Sequence, residues 1–144
     1  MTPSPRRSRR AVLAVDSNLL VRYFVVDDPA QSERVRGLFT SNRIWIAKTV
    51  LLETDWVLRR SFGFPPARVA STFRALMETD SVQLETPNEV AEALNLCAAG
   101  VSFADAMHVA SADGAAAFMS FDEQLIRRAA GRASVSVESA VARA

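Results

Sequence analysis

Ala11-Val-Leu-Ala-Val-Asp-Ser-Asn18 is the stretch whose reading decides the fold. Five small or branched apolar residues in succession predict a short strand buried on both faces. The run stops at Asp16, Ser17 and Asn18 and resumes as Leu19-Leu20-Val21. A carboxylate at the mouth of a buried strand is costly to desolvate without compensation. Two roles suit it. Asp16 can cap the next helix, since Asp, Ser and Asn all accept the free N–H groups of a first turn. It can also stand at the carboxyl edge of a parallel sheet, where open α/β folds bind their ligands.

The rest of the chain alternates helices with short apolar strands. Leu19 to Val26 predicts a short helix, and Asp28-Pro29 starts a second one, Asp as N-cap and Pro at the first helical position. That helix carries Val35, Leu38 and Phe39 inward and ends near Thr40. Ile44 to Ala47 predicts a second buried strand. Thr49 to Ser61 is a strongly apolar helix stopped by Gly63, and Pro65-Pro66 opens another with Val69, Phe73, Leu76 and Met77 at helical spacing. Val82 to Leu84 suits a short strand. Thr86-Pro87-Asn88-Glu89 predicts a capping box for a helix ending by Gly100, and Ser102-Phe-Ala-Asp105 a second one for a helix to Asp113. Ala116 to Met119 predicts a strand, Ser120 to Glu123 starts a helix that Gly131 stops, and Val135 to Val137 predicts the last strand. The expected architecture is α/β: a three-layer α/β/α sandwich around a short parallel sheet with right-handed crossovers.

With 144 residues, 49% hydrophobic and 23% charged, the chain has the make-up of one globular domain, expected over residues 11–144. Residues 1–10 carry Arg6, Arg7, Arg9 and Arg10 beside two prolines and predict a disordered basic arm. A net charge of +1 excludes an overwhelming basic field. Cys97 is the lone cysteine, which excludes a disulfide framework and a Cys-rich zinc site and suits a reducing, cytoplasmic location. No apolar run approaches the roughly 20 residues that span a bilayer. Asp16 and Asn18 cut the apolar stretch after Arg9-Arg10 too short for an export signal.

The carboxylates carry the functional signal. In a parallel sheet the strands end at one rim and the following helices begin there. Asp16 follows the first strand, Glu53 lies about a turn into the helix after the second, Asp105 is in the first turn of its helix, and Asp122 follows the Ala116 strand. Carboxylates so gathered repel one another unless a hard divalent cation compensates them. An oxygen-only donor set suits Mg²⁺ or Mn²⁺ rather than zinc. Such an ion could activate a water for attack on a phosphodiester. Each acid also has a plain structural role open to it, because Asp105 and Asp122 stand where acids favour a helix N-terminus. Periodicity does not choose between Glu53 and Asp55. His108 reads as a packed or supporting group, and Cys97, Trp45, Trp56, Met107 and Met119 read as core. No Ser/His/Asp or Cys/His arrangement competes. Asp16-Ser-Asn18 lacks the second Asp that a haloacid-dehalogenase-type phosphatase needs.

Four segments resemble one known family in their order: Val15-Asp-Ser-Asn-Leu-Leu-Val-Arg-Tyr23, Val50-Leu-Leu-Glu-Thr-Asp-Trp-Val-Leu-Arg59, Val101-Ser-Phe-Ala-Asp-Ala-Met-His-Val-Ala110 and Phe118-Met-Ser-Phe-Asp-Glu-Gln-Leu125. They are similar to the PIN-domain ribonucleases, specifically the VapC-type toxins of bacterial toxin–antitoxin pairs. The resemblance implies a Mg²⁺-dependent endoribonuclease with Asp16, Glu53, Asp105 and Asp122 as its catalytic acids. It implies Asp16, Asp105 and Asp122 as metal ligands, with Ser17 and Ser120 in support. Ser17 stands where the family more often has Thr, and the basic arm departs from the family pattern. The resemblance also implies an RNA substrate, a homodimer and a small cognate antitoxin protein. The contrasting reading is a catalytically weak PIN-like module that binds RNA or protein.

Overall fold

The computed structural model describes residues 11–141. Its elements are β1 (Val12–Ala14), α1 (Ser17–Phe24), α2 (Pro29–Ser41), β2 (Arg43–Ile46), α3 (Lys48–Phe62) and α4 (Pro66–Met77). Then come β3 (Val82–Leu84), α5 (Pro87–Ala98), α6 (Phe103–Ala110), β4 (Phe118–Ser120), α7 (Glu123–Ala129) and β5 (Val137–Ser139). The α/β/α architecture with a short parallel sheet is the one the alternation of elements predicts. The basic arm expected at residues 1–10 lies outside the described residues.

The parallel strands divide into two sets. β1, β2 and β3 pair in that order, with Leu13 opposite Ile44 and Ile44 opposite Val82. β4 and β5 pair separately, Met119 opposite Glu138. This corrects the first strand. β1 lies on the edge of its sheet and Val12 is 53% exposed, so it is not buried on both faces. β2, flanked on both sides, is the buried strand, and Ile44 and Ile46 are fully enclosed. The last two strands begin two residues later than periodicity suggests. Phe118 N donates to Ser136 O at 2.7 Å, and pairing runs on from there. Val135 is buried, but as an anchor of the preceding turn.

One hydrophobic cluster holds the layers together. It runs from Leu20 and Val21 on α1 through Val35 and Phe39 on α2, Leu51 and Leu58 on α3 and Phe73 on α4, to Leu94 on α5, Met107 on α6 and Leu125 on α7. Phe73 sits edge-on to Phe103 at 5.0 Å between ring centroids, and Tyr23 stacks on Phe39 at 3.9 Å. Local signals set the helix ends. Asp28 Oδ1 accepts from Ala30 N and Gln31 N at 3.1 and 3.2 Å ahead of Pro29. Gly63 ends α3 in the left-handed conformation, φ +68°, and Phe64 N closes back on Leu58 O at 3.0 Å. One predicted cap is not made. Thr86 is itself left-handed, φ 45°, and its side chain caps no helix N–H but is hydrogen-bonded to the Glu89 carboxylate, which Lys48 also holds.

Candidate active site

Asp16 and Glu53 are brought to one place by Ser17. Asp16 is the N-cap of α1, and its Oδ1 accepts from Leu19 N at 2.9 Å. Ser17, the first residue of that helix, donates its hydroxyl to the Glu53 carboxylate on α3. α1 and α3 pack against one another, so the exit of β1 and the middle of α3 form one exposed corner. Asp16 and Glu53 are both exposed, and Ser17 is half-buried.

Asp105 and Asp122 are placed by caps of their own. Ser102 Oγ accepts from Asp105 N at 3.3 Å at the start of α6, leaving the Asp105 carboxylate half-buried. Asp122 is the N-cap of α7, and its Oδ1 takes Gln124 N and Leu125 N at 3.0 and 3.1 Å. Ser120 Oγ in turn accepts from Asp122 N at 2.9 Å. Thus Ser17 contacts a candidate acid directly, while Ser120 orients one through its backbone. Among the described residues, no three His, Cys, Asp or Glu side chains stand close enough to hold one metal ion. The donor chemistry suits a hard divalent cation, but the carboxylates as placed do not form its ligand set.

The structure separates Glu53 from Asp55. Asp55 is 3% exposed and pairs with Arg59 through two hydrogen bonds, from Nε to Oδ1 and from Nη2 to Oδ2, both 2.9 Å. Asp55 and Arg59 line a cavity of about 610 Å³ between α3, α4 and α5, which none of Asp16, Glu53, Asp105 or Asp122 reaches. The Asp55 hydrogen bonds raise the Arg59 pKa further above its ordinary value. Cys97 lines the same cavity. Burial, with the nearby Asp55 charge adding to it, pushes its thiol up to about 11, so it is not a reactive thiolate at neutral pH.

Periodicity misses a clamp around Lys48. Ala47 offers no side-chain cap to α3, and the Glu85 carboxylate accepts from Lys48 N at 2.9 Å instead. Lys48 Nζ donates to Glu89 on α5 at 3.0 Å and to Ser111, just past α6, at 3.1 Å. A hydrogen bond from the Thr86 side chain, and then the one from Lys48, hold Glu89 below its usual carboxylate pKa. The clamp ties the helix bearing Glu53 to the end of the helix bearing Asp105. The one legible signal was compositional: Lys48 is the single lysine in a chain of arginines. Other side chains depart from expectation. His108 is exposed rather than packed, and Trp56 and Met119 are 53% and 39% exposed rather than core. Arg60 covers the Trp56 ring at 5.5 Å. Met107 is buried as expected.

The family model for the PIN domain matches residues 13–131, a span that holds all four candidate acids, and the chain belongs to that family. This places it, at the general level, among nucleases. Among solved structures, the chain is similar to the Mycobacterium tuberculosis toxin VapC20, described as cleaving the sarcin–ricin loop. The two are 22% identical, and the match covers 88% of this chain and 99% of the other with a TM-score of 0.41. No curated protein matches the sequence. No helix among the described residues is long and apolar enough to cross a membrane.

Proposed function

We propose that the protein is an endoribonuclease of the VapC type, the toxin of a toxin–antitoxin pair, held inactive by a small cognate antitoxin protein. The PIN-family match over residues 13–131 carries this reading, because its span includes Asp16, Glu53, Asp105 and Asp122. The contact between Ser17 and Glu53 supports it by holding Glu53 against the residue that follows Asp16. We assign these four residues as the catalytic acids, with Ser17 and Ser120 in support. The proposed cofactor is a hard divalent cation, Mg²⁺ or Mn²⁺; Asp16, Asp105 and Asp122 would hold it, which requires them to draw closer than they stand here. The working form is a homodimer acting in the cytoplasm.

The cut is a hydrolysis with water as nucleophile. Cys97 is held as a thiol and is not a covalent nucleophile, which favours water in that role. The water oxygen bonds to phosphorus, the bond from phosphorus to the 3′-oxygen breaks, and that oxygen takes up a proton. The products are a 5′-phosphate and a 3′-hydroxyl. A near-neutral chain does not coat RNA indiscriminately, so the favoured substrate is an exposed single-stranded loop. The test is incubation of antitoxin-free protein with total cellular RNA and Mg²⁺, with EDTA and Asp16→Asn as controls, followed by mapping of the ends. Cyclic phosphate ends, or cleavage that survives both controls, refute the mechanism. The dispersed candidate ligands favour one second reading, a catalytically weak RNA- or protein-binding module. Metal-independent RNA binding without cleavage would establish it.

A further inference from the structure

Phe121 is 77% exposed, more than any other large apolar side chain among the described residues. Phe39, Phe73 and Phe103 are buried, and Phe24 and Phe118 pack against the core. The ring contacts link Tyr23, Phe24, Phe39, Phe73 and Phe103, and none reaches Phe121. Phe121 lies outside the core cluster, while the residues on either side of it are held. Ser120 O accepts from Ala140 N at 2.9 Å, and Ser120 Oγ accepts from Asp122 N at 2.9 Å. Asp122 then caps α7. An apolar ring on a fixed stem is thereby displayed to solvent between a supporting serine and a catalytic acid. Met119, two positions earlier, adds a second exposed apolar side chain.

We propose that Phe121 is the platform on which an unpaired RNA base stacks beside the bond to be cut, an inference that rests on the nuclease reading. A corner of exposed carboxylates repels the phosphates it must approach. Affinity next to the cut therefore has to come from uncharged contacts, and every base has a π-face. Aromatic side chains hold splayed-out single-stranded bases in this way, largely regardless of sequence. The pinned backbone limits the ordering entropy lost on stacking. An exposed aromatic can also anchor a protein interface. The immediate flanks of Phe121 belong to the chemistry, however, and that favours the substrate.

The experiment compares the intact protein with Phe121→Ala and Phe121→Trp. A fluorescein-labelled RNA spanning the mapped cleavage site gives Kd in EDTA, and single-turnover cleavage gives the dependence on enzyme concentration. Phe121→Ala should weaken binding by roughly five- to a hundred-fold, as loss of one stacked base does, with the loss in Kd and KM rather than in the maximal rate. Phe121→Trp should restore binding, with an indole signal quenched by RNA beyond that of Trp45 and Trp56. An abasic nucleotide at the stacked position should weaken the unmodified protein but not Phe121→Ala. Circular dichroism should show both variants folded. Unchanged Kd and KM in a folded Phe121→Ala overturn the proposal and leave the nuclease reading intact. So does a loss confined to binding of a protein partner. An unmodified protein that neither binds nor cleaves RNA overturns both.

Discussion

Two acids two positions apart on α3 should respond to substitution in opposite ways. Glu53 is exposed, and among the described residues its carboxylate touches only Ser17. Asp55 is 3% exposed and grips Arg59 through two hydrogen bonds of 2.9 Å. Removing one partner of a buried ion pair costs about 3–5 kcal/mol, because the other charge is left uncompensated. The Arg59 side chain is 35% exposed, so water can rehydrate part of the guanidinium, and about 2–3 kcal/mol is the expected loss for Asp55→Ala. For a chain of this size that lowers Tm by about 4–12 °C. Glu53→Gln should stay within about 0.5 kcal/mol of the parent in stability, yet lower single-turnover RNA cleavage by about a hundredfold or more. Thermal melts by circular dichroism and quenched single-turnover assays measure the two quantities on the same preparations. An unchanged Tm in Asp55→Ala would refute the structural role given to that pair. Full cleavage by Glu53→Gln would mean the wrong acid has been placed in the site.

Other outcomes follow from the same contacts. Gly63→Ala places a Cβ in the left-handed region and should cost about 1–2 kcal/mol in a chemical denaturation; no loss would show that α3 can end another way. Glu89 has its pKa lowered by Thr86 and then Lys48, so it contributes stability above its unfolded value of about 4.5 and loses it as pH falls through the lower folded value. Lys48→Met should flatten the acid limb of the stability–pH curve, and an unchanged limb would exclude the clamp. Titration calorimetry should detect Mg²⁺ or Mn²⁺ binding that Asp16→Asn weakens severely, and equal affinity in the two proteins would remove Asp16 from the ligand set.

The fold was legible where a local rule decides it. Asp28-Pro29 and Gly63 mark helix ends by chemistry that depends on no distant residue, and both act as read. Periodicity located every element to within a few residues. It failed where a distant partner decides the outcome. An apolar run such as Val12 to Ala14 looks the same on the edge of a sheet as in its middle, and only the pairing order makes β2 the buried strand. Thr86 and Glu89 have the residue types of a capping box, but Thr86 is left-handed, and Glu89 is shared between the Thr86 side chain and Lys48, far off in sequence. Trp56 reads as core by composition, yet lies under Arg60 on the surface.

For the acids, the structural and functional readings of the sequence are not rivals. Asp16 and Asp122 are N-caps, and in each the capping hydrogen bonds go to Oδ1 alone among the described contacts. Using one oxygen to satisfy the first turn fixes the carboxylate's orientation and leaves Oδ2 for another partner. A residue placed this way is ordered before any substrate arrives, which is what a catalytic group requires. The same geometry dictates how the site must be probed. Replacing either aspartate by alanine removes the cap as well as the charge, and the cap alone is worth about 1 kcal/mol. Asparagine retains the capping oxygen and removes only the charge. A loss of activity in Asp16→Asn or Asp122→Asn at unchanged Tm therefore reports on the second oxygen and the charge it carries, and a loss that appears only with alanine would assign both residues to the fold.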